Sequence, residues 1–269
     1  MNIGFIGCGN MGSALAIAAA SAAEKAKIEK IYLSNRTPEK AETLAKKIGG
    51  NISTNEEIAA TCEYIFLGVK PHLLRDLLAS IAPILADRRD HFVLISMAAG
   101  VTVASIEKAA TLGCPILRIM PNTPTSVGEG MIQYCKNTSV TAEDEENFRA
   151  ILAHAGKIDP LDEHLIDAAS AVSGCGPAFL CLLAEALADG GVKCGLPRDK
   201  ALEYAAQTLL GTGKLLLESG KHPGELKDAV CSPGGSTIAG VAALEEHAFR
   251  AAAIAAVEAA YRRNQELGK

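Results

Sequence analysis

The chain has 269 residues, enough for one large domain or two of ordinary size, and hydrophobic residues make up 49% of it. Its formal net charge of −5 argues against a surface that binds nucleic acid or an anionic membrane. Eight cysteines are scattered without a C-x-x-C pair, which favours reduced thiols in a cytoplasmic protein over disulfides or a metal site. We also expect no membrane span, because polar residues interrupt every long apolar run.

A predicted strand, a glycine-rich turn and a predicted helix open the chain. The strand covers residues 3–6, and the turn from Gly7 to Gly12 has the pattern G-x-G-x-x-G. The first glycine permits a tight turn, the second lets the backbone approach a pyrophosphate, and the third lets helix and strand pack closely. The N–H groups at the start of the helix would hold the phosphates. The pattern predicts dinucleotide binding, and because it begins at residue 7 we expect no signal peptide.

The residues that follow the second predicted strand indicate the cofactor. This strand covers residues 28–33, and Ser34, Asn35 and Arg36 come next, where NAD-binding folds carry an acidic residue for the ribose 2′-hydroxyl. No Asp or Glu is present there, whereas the guanidinium of Arg36 suits a 2′-phosphate, with Ser34 and Asn35 as donors. We therefore expect NADPH, with NADH as the second option. The alternative is that Arg36 is a solvated loop charge.

Strands and helices alternate through the first 160 residues. The further predicted elements are a helix opened by Thr37 as N-cap and Pro38, a strand at Ile52, a helix from Asn55, a strand at 63–69, a helix at 71–82, a strand at 92–96, a helix at 102–110, a strand at 115–120, a strand at 131–135 and a charged surface helix at 142–154. This alternation predicts a mainly parallel, doubly wound α/β sheet. Ligands bind beyond the carboxyl ends of such strands, so we expect the loop at Lys70-Pro71 to face the cofactor.

The pattern changes around residues 156–161, and no further alternation of strand and helix is predicted. From Glu163 onward the predicted elements are helices at 166–173, 177–190, 198–220, 223–230 and 237–266. Several of them are apolar on more than one face, and a segment of this length has too little interior to bury them all. We therefore predict two domains, residues 1–160 and 161–269, and an obligate homodimer formed through the second. Burial within the monomer is the alternative.

Four separated motifs are similar to those of one enzyme family. They are G-F-I-G-C-G-N-M-G at residues 4–12, Gly68-Val69-Lys70-Pro71, Met120-Pro121-Asn122-Thr123-Pro124, and Ser232-Pro233-Gly234-Gly235-Ser236-Thr237. In this order they resemble Δ1-pyrroline-5-carboxylate reductases over essentially the whole chain, most specifically from Gly224 to Thr237. The resemblance implies a Rossmann-type domain followed by an all-helical dimerisation domain, often with dimers gathered into larger rings. It implies reduction of pyrroline-5-carboxylate to L-proline by NADPH or NADH, the last step of proline biosynthesis.

The resemblance also implies the residues of the site. The cofactor-lining residues would be Ile6, Gly7, Cys8, Gly9, Asn10, Met11, Gly12, Ser34, Asn35, Arg36, Asn55, Val69, Lys70, Pro71, Met97, Ala98, Ala99 and Gly100. The substrate-binding residues would be Ser232, Gly234, Gly235, Ser236 and Thr237 around the carboxylate, with Glu163 nearby.

The chemistry of an imine reduction fits these residue types. Hydride transfer to the imine carbon needs no nucleophile or metal, because the cofactor carries the difficult step. A donor beside the imine nitrogen would assist it, and this is either the hydroxyl of Thr237, our candidate catalytic residue, or a bound water. Since a hydroxyl is a weak general acid, we assign Thr237 to positioning and polarising the imine.

Two other functions remain open on the residues alone. One is an NADP-dependent oxidoreductase acting on a hydroxy acid or on a different cyclic imine, and the second half offers no helix-borne catalytic lysine for the hydroxy acid. The other is a non-catalytic NADP(H)-sensing module, which an intact loop at 232–237 disfavours. Ring size is not decided either, because one methylene is worth only about 1–3 kcal/mol of discrimination.

Overall fold

The computed structural model describes residues 1–111 and 113–267. The chain divides into two compact units. The first unit is Met1–Gly174 together with the chain from Tyr261 onward, and the second is Cys175–Ala260.

The first unit is built on one eight-stranded sheet. Its strands are β1 (Asn2–Ile6), β2 (Lys30–Ser34), β3 (Asn51–Ile52), β4 (Tyr64–Leu67), β5 (Val93–Ser96), β6 (Ile116–Met120), β7 (Gly130–Lys136) and β8 (Gly156–Pro160). They lie in the order β3-β2-β1-β4-β5-β6-β7-β8, and β7 is antiparallel to β6 while every other neighbouring pair is parallel. The predicted mainly parallel α/β sheet is confirmed.

Helices cover both faces of this sheet. They are α1 (Asn10–Ser21), α2 (Pro38–Ile48), α3 (Asn55–Thr61), α4 (Pro71–Asp87), α5 (Val103–Ala110), α6 (Ala142–Ile151) and α7 (Ile166–Ser173), with 3-10 turns at Thr123–Val127 and Glu163–Leu165. Side chains alternate across the strands, so Phe5 and Phe66 stack in the core under α1, α2 and α6. Ile6 and Leu67 lie in the opposite core under α3, α4 and α5. The inner strands β1, β4, β5 and β6 are buried on both faces, which explains their largely apolar sequences.

The pattern of apolar residues missed strand β8. Its sequence, Gly-Lys-Ile-Asp-Pro, contains one large apolar residue, and its side chains are exposed or half-buried. It pairs with β7 alone at the edge of the sheet. An edge strand of this kind lacks the apolar run by which the inner strands were recognised, so the predicted end of the alternation came one strand too early.

Three helices of the first unit differ in detail from prediction. Pro38 occupies the first turn of α2 as predicted, but the hydroxyl of Thr37 makes no capping hydrogen bond within the described chain. Helix α4 continues through Pro83 to Asp87, beyond the predicted end near residue 82. Helix α6 ends at Ile151 and buries one face, including Phe148, so it is only partly a surface helix.

The first unit extends beyond the predicted boundary at residue 160. Ile166 of α7 belongs to the core on the α4 side of the sheet. At the other end of α7, the carbonyl of Ser173 accepts a hydrogen bond of 2.9 Å from Asn122 Nδ2, and its hydroxyl is bonded to Gln133 on β7. These contacts attach the segment 161–174 to the sheet, so the compact division of the chain follows Gly174.

The second unit is helical. It contains α8 (Gly176–Lys193), α9 (Arg198–Ser219), α10 (Pro223–Ala229), α11 (Ser236–Glu246) and the first part of α12 (Phe249–Leu267). The predicted single helix at 237–266 is wrong, because the chain breaks at His247 and Ala248, where Ala248 has a φ of 55°. An alanine in the left-handed region ends a helix without the glycine or proline that would mark the break in the sequence.

One copy of the second unit leaves most of its apolar surface uncovered. The buried cluster of this unit consists of Ala188, Ala201 and Ala205, between α8 and α9. The large apolar side chains that remain exposed include Leu180, Leu182, Leu187, Leu202, Tyr204, Leu210, Leu215, Leu217, Val230, Leu244 and Ile254. Burial within the monomer, the alternative considered for this half, is therefore wrong. A surface of this kind fits the predicted dimer.

The expectation that no segment has the length and apolarity of a membrane span also needs correction. Among the described residues, the helical segment Glu163–Lys193 is long and apolar enough by length and composition alone. Only 11% of its most apolar window is buried within the chain. Core helices of soluble proteins meet the same criterion, so this property does not assign the chain to a membrane.

Candidate active site

The glycine-rich turn after β1 is shaped by close backbone contacts. Gly7 has a φ of 105°, and a side chain there would place its Cβ 2.5 Å from the carbonyl oxygen of Gly68. A Cβ on Gly12 would lie far inside van der Waals contact with the carbonyl oxygen of Gly7. The first and third glycines of the fingerprint are therefore required by the packing of the protein itself.

The second glycine of the fingerprint has a different surrounding. A Cβ on Gly9 would meet no atom within 4 Å, so the protein leaves open space where this glycine faces outward. Gly9 is also the N-cap of α1, and no side chain of the described residues caps this helix. The first N–H groups of α1 are thus available to an anion, and the open space lets that anion approach the backbone. The turn fits a dinucleotide pyrophosphate.

Hydrogen bonds connect the turn to the end of β2, and the end of β2 to the start of α3. The Gly7 amide donates to the carbonyl of Ser34 (2.8 Å), and the Cys8 amide donates to Oδ1 of Asn35 (2.9 Å). The hydroxyl of Ser34 donates to Oδ1 of Asn55 at the start of α3 (2.6 Å). The structure therefore brings these predicted cofactor residues together at one end of the sheet.

The three side chains at the end of β2, those of Ser34, Asn35 and Arg36, have two different kinds of surroundings. Ser34 and Asn35 are engaged with the protein, since Asn35 Nδ2 also donates to the carbonyl of Thr37 (2.9 Å). Arg36 is exposed, and its guanidinium forms no ion pair with the part of the chain that the structure describes. Of the three predicted donors, Arg36 is thus the one whose hydrogen-bonding groups are free for a ligand.

Cys8 belongs to this turn, and its small side chain is buried beneath it. It is 2% exposed, and its Sγ lies 3.5 Å from the carbonyl oxygen of Ser34. Burial raises the pKa of the Cys8 thiol to about 11. The thiolate is the reactive form of cysteine, so this residue contributes packing and not chemistry.

Two further loops lie at the same carboxyl end of the parallel strands. The loop at Val69-Lys70-Pro71 follows β4, and the loop Met97-Ala98-Ala99-Gly100 follows the neighbouring strand β5. The Gly68 amide donates to the carbonyl of Ile6 (2.7 Å), and the Met97 amide donates to that of Leu67 (3.3 Å). The two loops are therefore held beside the glycine-rich turn, as expected for the carboxyl ends of parallel strands.

Glu163 is bound to two groups of the first unit. Its Oε1 accepts hydrogen bonds from the backbone amide of Val103 (2.7 Å) and from Nη1 of Arg118 (3.0 Å). Arg118 is the middle residue of β6, and its side chain is almost fully buried. Arg118 was not among the residues predicted from the sequence, although a charge inside the apolar run Ile-Leu-Arg-Ile-Met was a signal that could have identified it.

Gly68 was the other residue missed. The motif Gly68–Pro71 was recognised, but Gly68 itself was not assigned to the site. A Cβ on Gly68 would lie 2.5 Å from the carbonyl oxygen of Gly7. The two glycines therefore allow the turn after β1 and the loop after β4 to approach each other.

In the second unit, the predicted substrate loop precedes α11. Gly234 has a φ of 68°, and the Gly235 amide donates to the carbonyl of Ser232 (3.0 Å) in a tight turn. Gly235 is the N-cap of α11, which no side chain of the described residues caps, and Ser236 and Thr237 form its first turn. The loop thus presents backbone N–H groups and exposed hydroxyls at a helix N-terminus, an arrangement that suits a small carboxylate.

Comparisons with known proteins agree with this geometry. A family model for pyrroline-5-carboxylate reductase dimerisation matches residues 163–267, and a model for NADP oxidoreductase, coenzyme F420-dependent, matches residues 2–100. A pyrroline-5-carboxylate reductase of Synechocystis is 44% identical, and the alignment covers 100% of this chain and 99% of that protein. The chain belongs to the pyrroline-5-carboxylate reductase family. The reductase of Escherichia coli is 39% identical, over 99% of this chain and 98% of its own.

Solved structures of the family share the fold over the full length. The pyrroline carboxylate reductase of Plasmodium falciparum, with NADP bound, superposes with a TM-score of 0.87 at 35% identity, covering 100% of this chain and 98% of that one. The Coxiella burnetii pyrroline-5-carboxylate reductase gives 0.90 at 31% identity, with the same coverage. The enzyme is an NAD(P)H-dependent oxidoreductase that reduces the C=N bond of pyrroline-5-carboxylate to give L-proline. Its helical half carries the dimerisation domain of the family, through which it self-associates.

Proposed function

We propose that the enzyme prefers NADPH and that Arg36 recognises the 2′-phosphate. The observation that carries this proposal is the free guanidinium of Arg36, beside an Asn35 side chain that is anchored to the Cys8 amide. A planar guanidinium binds a phosphate through two parallel hydrogen bonds, whereas the 2′-hydroxyl of NADH offers it no charge. A bound NADP in the related Plasmodium structure supports the same choice.

Each loop at the carboxyl end of the sheet has its own role in this proposal. The turn from Gly7 to Gly12 would hold the pyrophosphate with the first amides of α1. The loops at 69–71 and 97–100 follow the adjacent strands β4 and β5, and they would line the nicotinamide half of the cofactor. When bound, the cofactor supplies hydride to the imine carbon. The protein's task is to hold the imine carbon at reacting distance and to keep it oriented.

The substrate carries two groups that need different partners. Its carboxylate suits the amides and hydroxyls of Ser232, Gly234, Gly235, Ser236 and Thr237, because these offer hydrogen-bond donors at a helix N-terminus. We assign Glu163 to the nitrogen end on the ground of charge. A carboxylate repels the substrate's own carboxylate but attracts a protonated imine.

The hydroxyl of Thr237 is proposed to polarise the imine nitrogen or to orient a water that does so. Thr237 lies in the first turn of α11 and is exposed in the single chain. Its hydroxyl is a weak acid, so its contribution is a hydrogen bond to the nitrogen and not full proton transfer. Thr237→Ser keeps this hydrogen bond and Thr237→Val removes it, so the two variants are the matched pair for testing this role.

The assembly and location extend the proposal. We infer that dimers gather into larger rings, as the family resemblance implies, and that the enzyme works in the cytoplasm without nucleic-acid or membrane partners. All eight cysteines are free thiols, which supports a reducing compartment, and the net charge of −5 disfavours polyanionic partners. The molar mass measured by light scattering as the enzyme elutes from a size-exclusion column would distinguish a dimer from a ring of dimers.

The test of the function is a steady-state assay of reduced nicotinamide oxidation. Purified enzyme is given pyrroline-5-carboxylate or its six-membered homologue, each with NADPH and with NADH. The proposal expects turnover to proline, with NADPH giving the higher kcat/KM. Equal kcat/KM with both cofactors would remove the assigned role of Arg36. Absence of turnover with either imine would contradict the reductase function itself.

A further inference from the structure

A buried arginine in the sheet of the first unit is compensated by two carboxylates. The side chain of Arg118 is 5% exposed. Its Nη1 lies 3.0 Å from Oε1 of Glu163, and its Nη2 lies 3.5 Å from Oδ1 of Asp167. Both carboxylates are about one-third exposed, at 34% and 33%. A buried cation without such partners is strongly destabilising, so the pairing explains why Arg118 is tolerated in β6.

Glu163 does more than neutralise this arginine. The same Oε1 atom accepts the backbone amide of Val103 at 2.7 Å. Val103 is the first residue of α5, and the Thr102 hydroxyl caps this helix by accepting the amide of Ser105 (3.2 Å). Glu163 therefore satisfies an amide that the Thr102 cap leaves open. Its negative charge is also favourable at the N-terminus of a helix.

Helix α5 begins at Val103, and Val101 and Thr102 connect it to the loop at 97–100 that is assigned to the cofactor. Two hydrogen bonds attach the start of this loop to the sheet. The Met97 amide donates to the carbonyl of Leu67 (3.3 Å), and the Ala98 amide donates to the hydroxyl of Ser96 (3.3 Å). At its end, the bond from Val103 to Glu163 provides the attachment. Glu163 thus bonds the first residue of the helix that follows the loop, and the guanidinium of Arg118 bonds the same Oε1 atom of Glu163.

We propose that Arg118 is a positioning residue for the cofactor site, which holds Glu163 beside the Val103 amide and so fixes the end of the loop at 97–102. This role rests on the proposed function, which assigns the loop to the nicotinamide half of the cofactor. Arg118 itself lies within β6 and acts through Glu163. Asp167 pairs with the same guanidinium but makes no bond to Val103, so it provides a matched control.

The first experiment compares single variants in two assays that need no turnover. Arg118→Met is expected to raise the Kd for NADPH, measured by fluorescence titration, about 3- to 10-fold, the size expected for a weakened charge-assisted hydrogen bond. In the cofactor-free enzyme, hydrogen exchange of the Val103 amide is expected to accelerate. Asp167→Ala removes the other carboxylate and is expected to leave the Kd within about twofold and the Val103 amide protected.

A double-mutant cycle separates positioning from a general effect on the fold. In a Glu163→Ala background, adding Arg118→Met is expected to change the Kd by less than about twofold, because no carboxylate remains to be held. If Arg118→Met does not fold, Arg118→Lys replaces it, since lysine keeps the charge but donates from one atom and is expected to give an intermediate Kd.

Three results would overturn the proposal. They are an equal effect of Arg118→Met in both backgrounds, an effect of Asp167→Ala as large as that of Arg118→Met, and a Val103 amide that exchanges freely in the unmodified enzyme. The exchange measurement is made without cofactor or imine. A lack of turnover would therefore contradict the proposed function, whereas the exchange rate of the Val103 amide could still be interpreted.

Discussion

The fingerprint glycines should separate into two classes when each is replaced by alanine. Gly12 is needed by the protein, because a Cβ there overlaps the carbonyl oxygen of Gly7. Gly9 is not, because a Cβ there meets nothing within 4 Å and its backbone, with φ of −74° and ψ of −172°, is allowed for alanine. The two substitutions add the same methyl group three residues apart and should affect different properties.

The expected magnitudes follow from these surroundings. Gly12→Ala overpacks a backbone contact and should destabilise the cofactor-free enzyme by about 1–3 kcal/mol. Gly9→Ala gains up to about 0.4–1 kcal/mol from lower entropy of the unfolded chain, offset by a slightly poorer N-cap, so its stability should stay close to that of the unmodified enzyme. If the pyrophosphate approaches the backbone at Gly9, the methyl group occupies its path, and the Kd for NADPH should rise at least about tenfold, or roughly 1.4 kcal/mol.

The measurements are chemical denaturation of the cofactor-free enzyme and titration with NADPH. Gly12→Ala should lower the denaturation midpoint, whereas Gly9→Ala should leave the midpoint and lose affinity. A Gly9→Ala variant with unchanged NADPH affinity would refute the placement of the pyrophosphate at this turn. A variant destabilised as much as Gly12→Ala would refute the interpretation of the open space.

Three further predictions concern the cofactor, pH and assembly. Arg36→Ala should raise the KM for NADPH about tenfold or more and leave that for NADH nearly unchanged, so an equal effect on both would contradict recognition of the 2′-phosphate. Burial raises the pKa of Asp144, but hydrogen bonds from Thr141 and His91 outweigh it and leave the pKa lowered. Asp144 should therefore stabilise the fold above its unfolded pKa of about 3.9 and lose that contribution as pH falls through the folded pKa, a dependence that denaturation of Asp144→Asn should lack. Leu210→Glu, at a side chain that is 59% exposed in one chain, should shift the enzyme toward monomer in light scattering, and an unchanged mass would place Leu210 outside the interface.

The sequence predicted the sheet well where apolar runs mark strands that are buried on both faces. It failed at β8, because an edge strand containing Gly156, Lys157 and Asp159 carries no such run. It failed again at Ala248, where the backbone changes direction without a residue that prefers the left-handed region. At β8 the pairing with β7, and not local sequence preference, determines the structure, whereas no preference of Ala248 for the left-handed region marks the break there.

The candidate site divides along the same line. The glycine fingerprint and Arg36 were recognisable because their meaning depends on neighbours in the sequence. The roles of Gly68 and Arg118 were not recognisable, because the atoms that explain these roles are distant along the chain. The oxygen that Gly68 must accommodate belongs to Gly7, and the carboxylate that Arg118 holds belongs to Glu163. Only the folded chain brings these pairs together.

The N-termini of the helices differ in how their first amides are satisfied. Helices α3, α5 and α6 are capped by threonine hydroxyls, and α2, α4, α8 and α10 carry proline in the first turn, where an N–H is missing. Helices α1 and α11 instead begin at glycine N-caps of nearly equal geometry, Gly9 and Gly235, without a side-chain cap among the described residues. A helix end that is left uncapped must find its acceptors elsewhere. Helices α7 and α9 also begin without a side-chain cap, at Leu165 and Pro197, so an uncapped end alone does not identify a ligand site. Helices α1 and α11 share an uncapped end with a glycine N-cap, and the same physical argument, an anion that accepts hydrogen bonds from the free amides, supports both assignments.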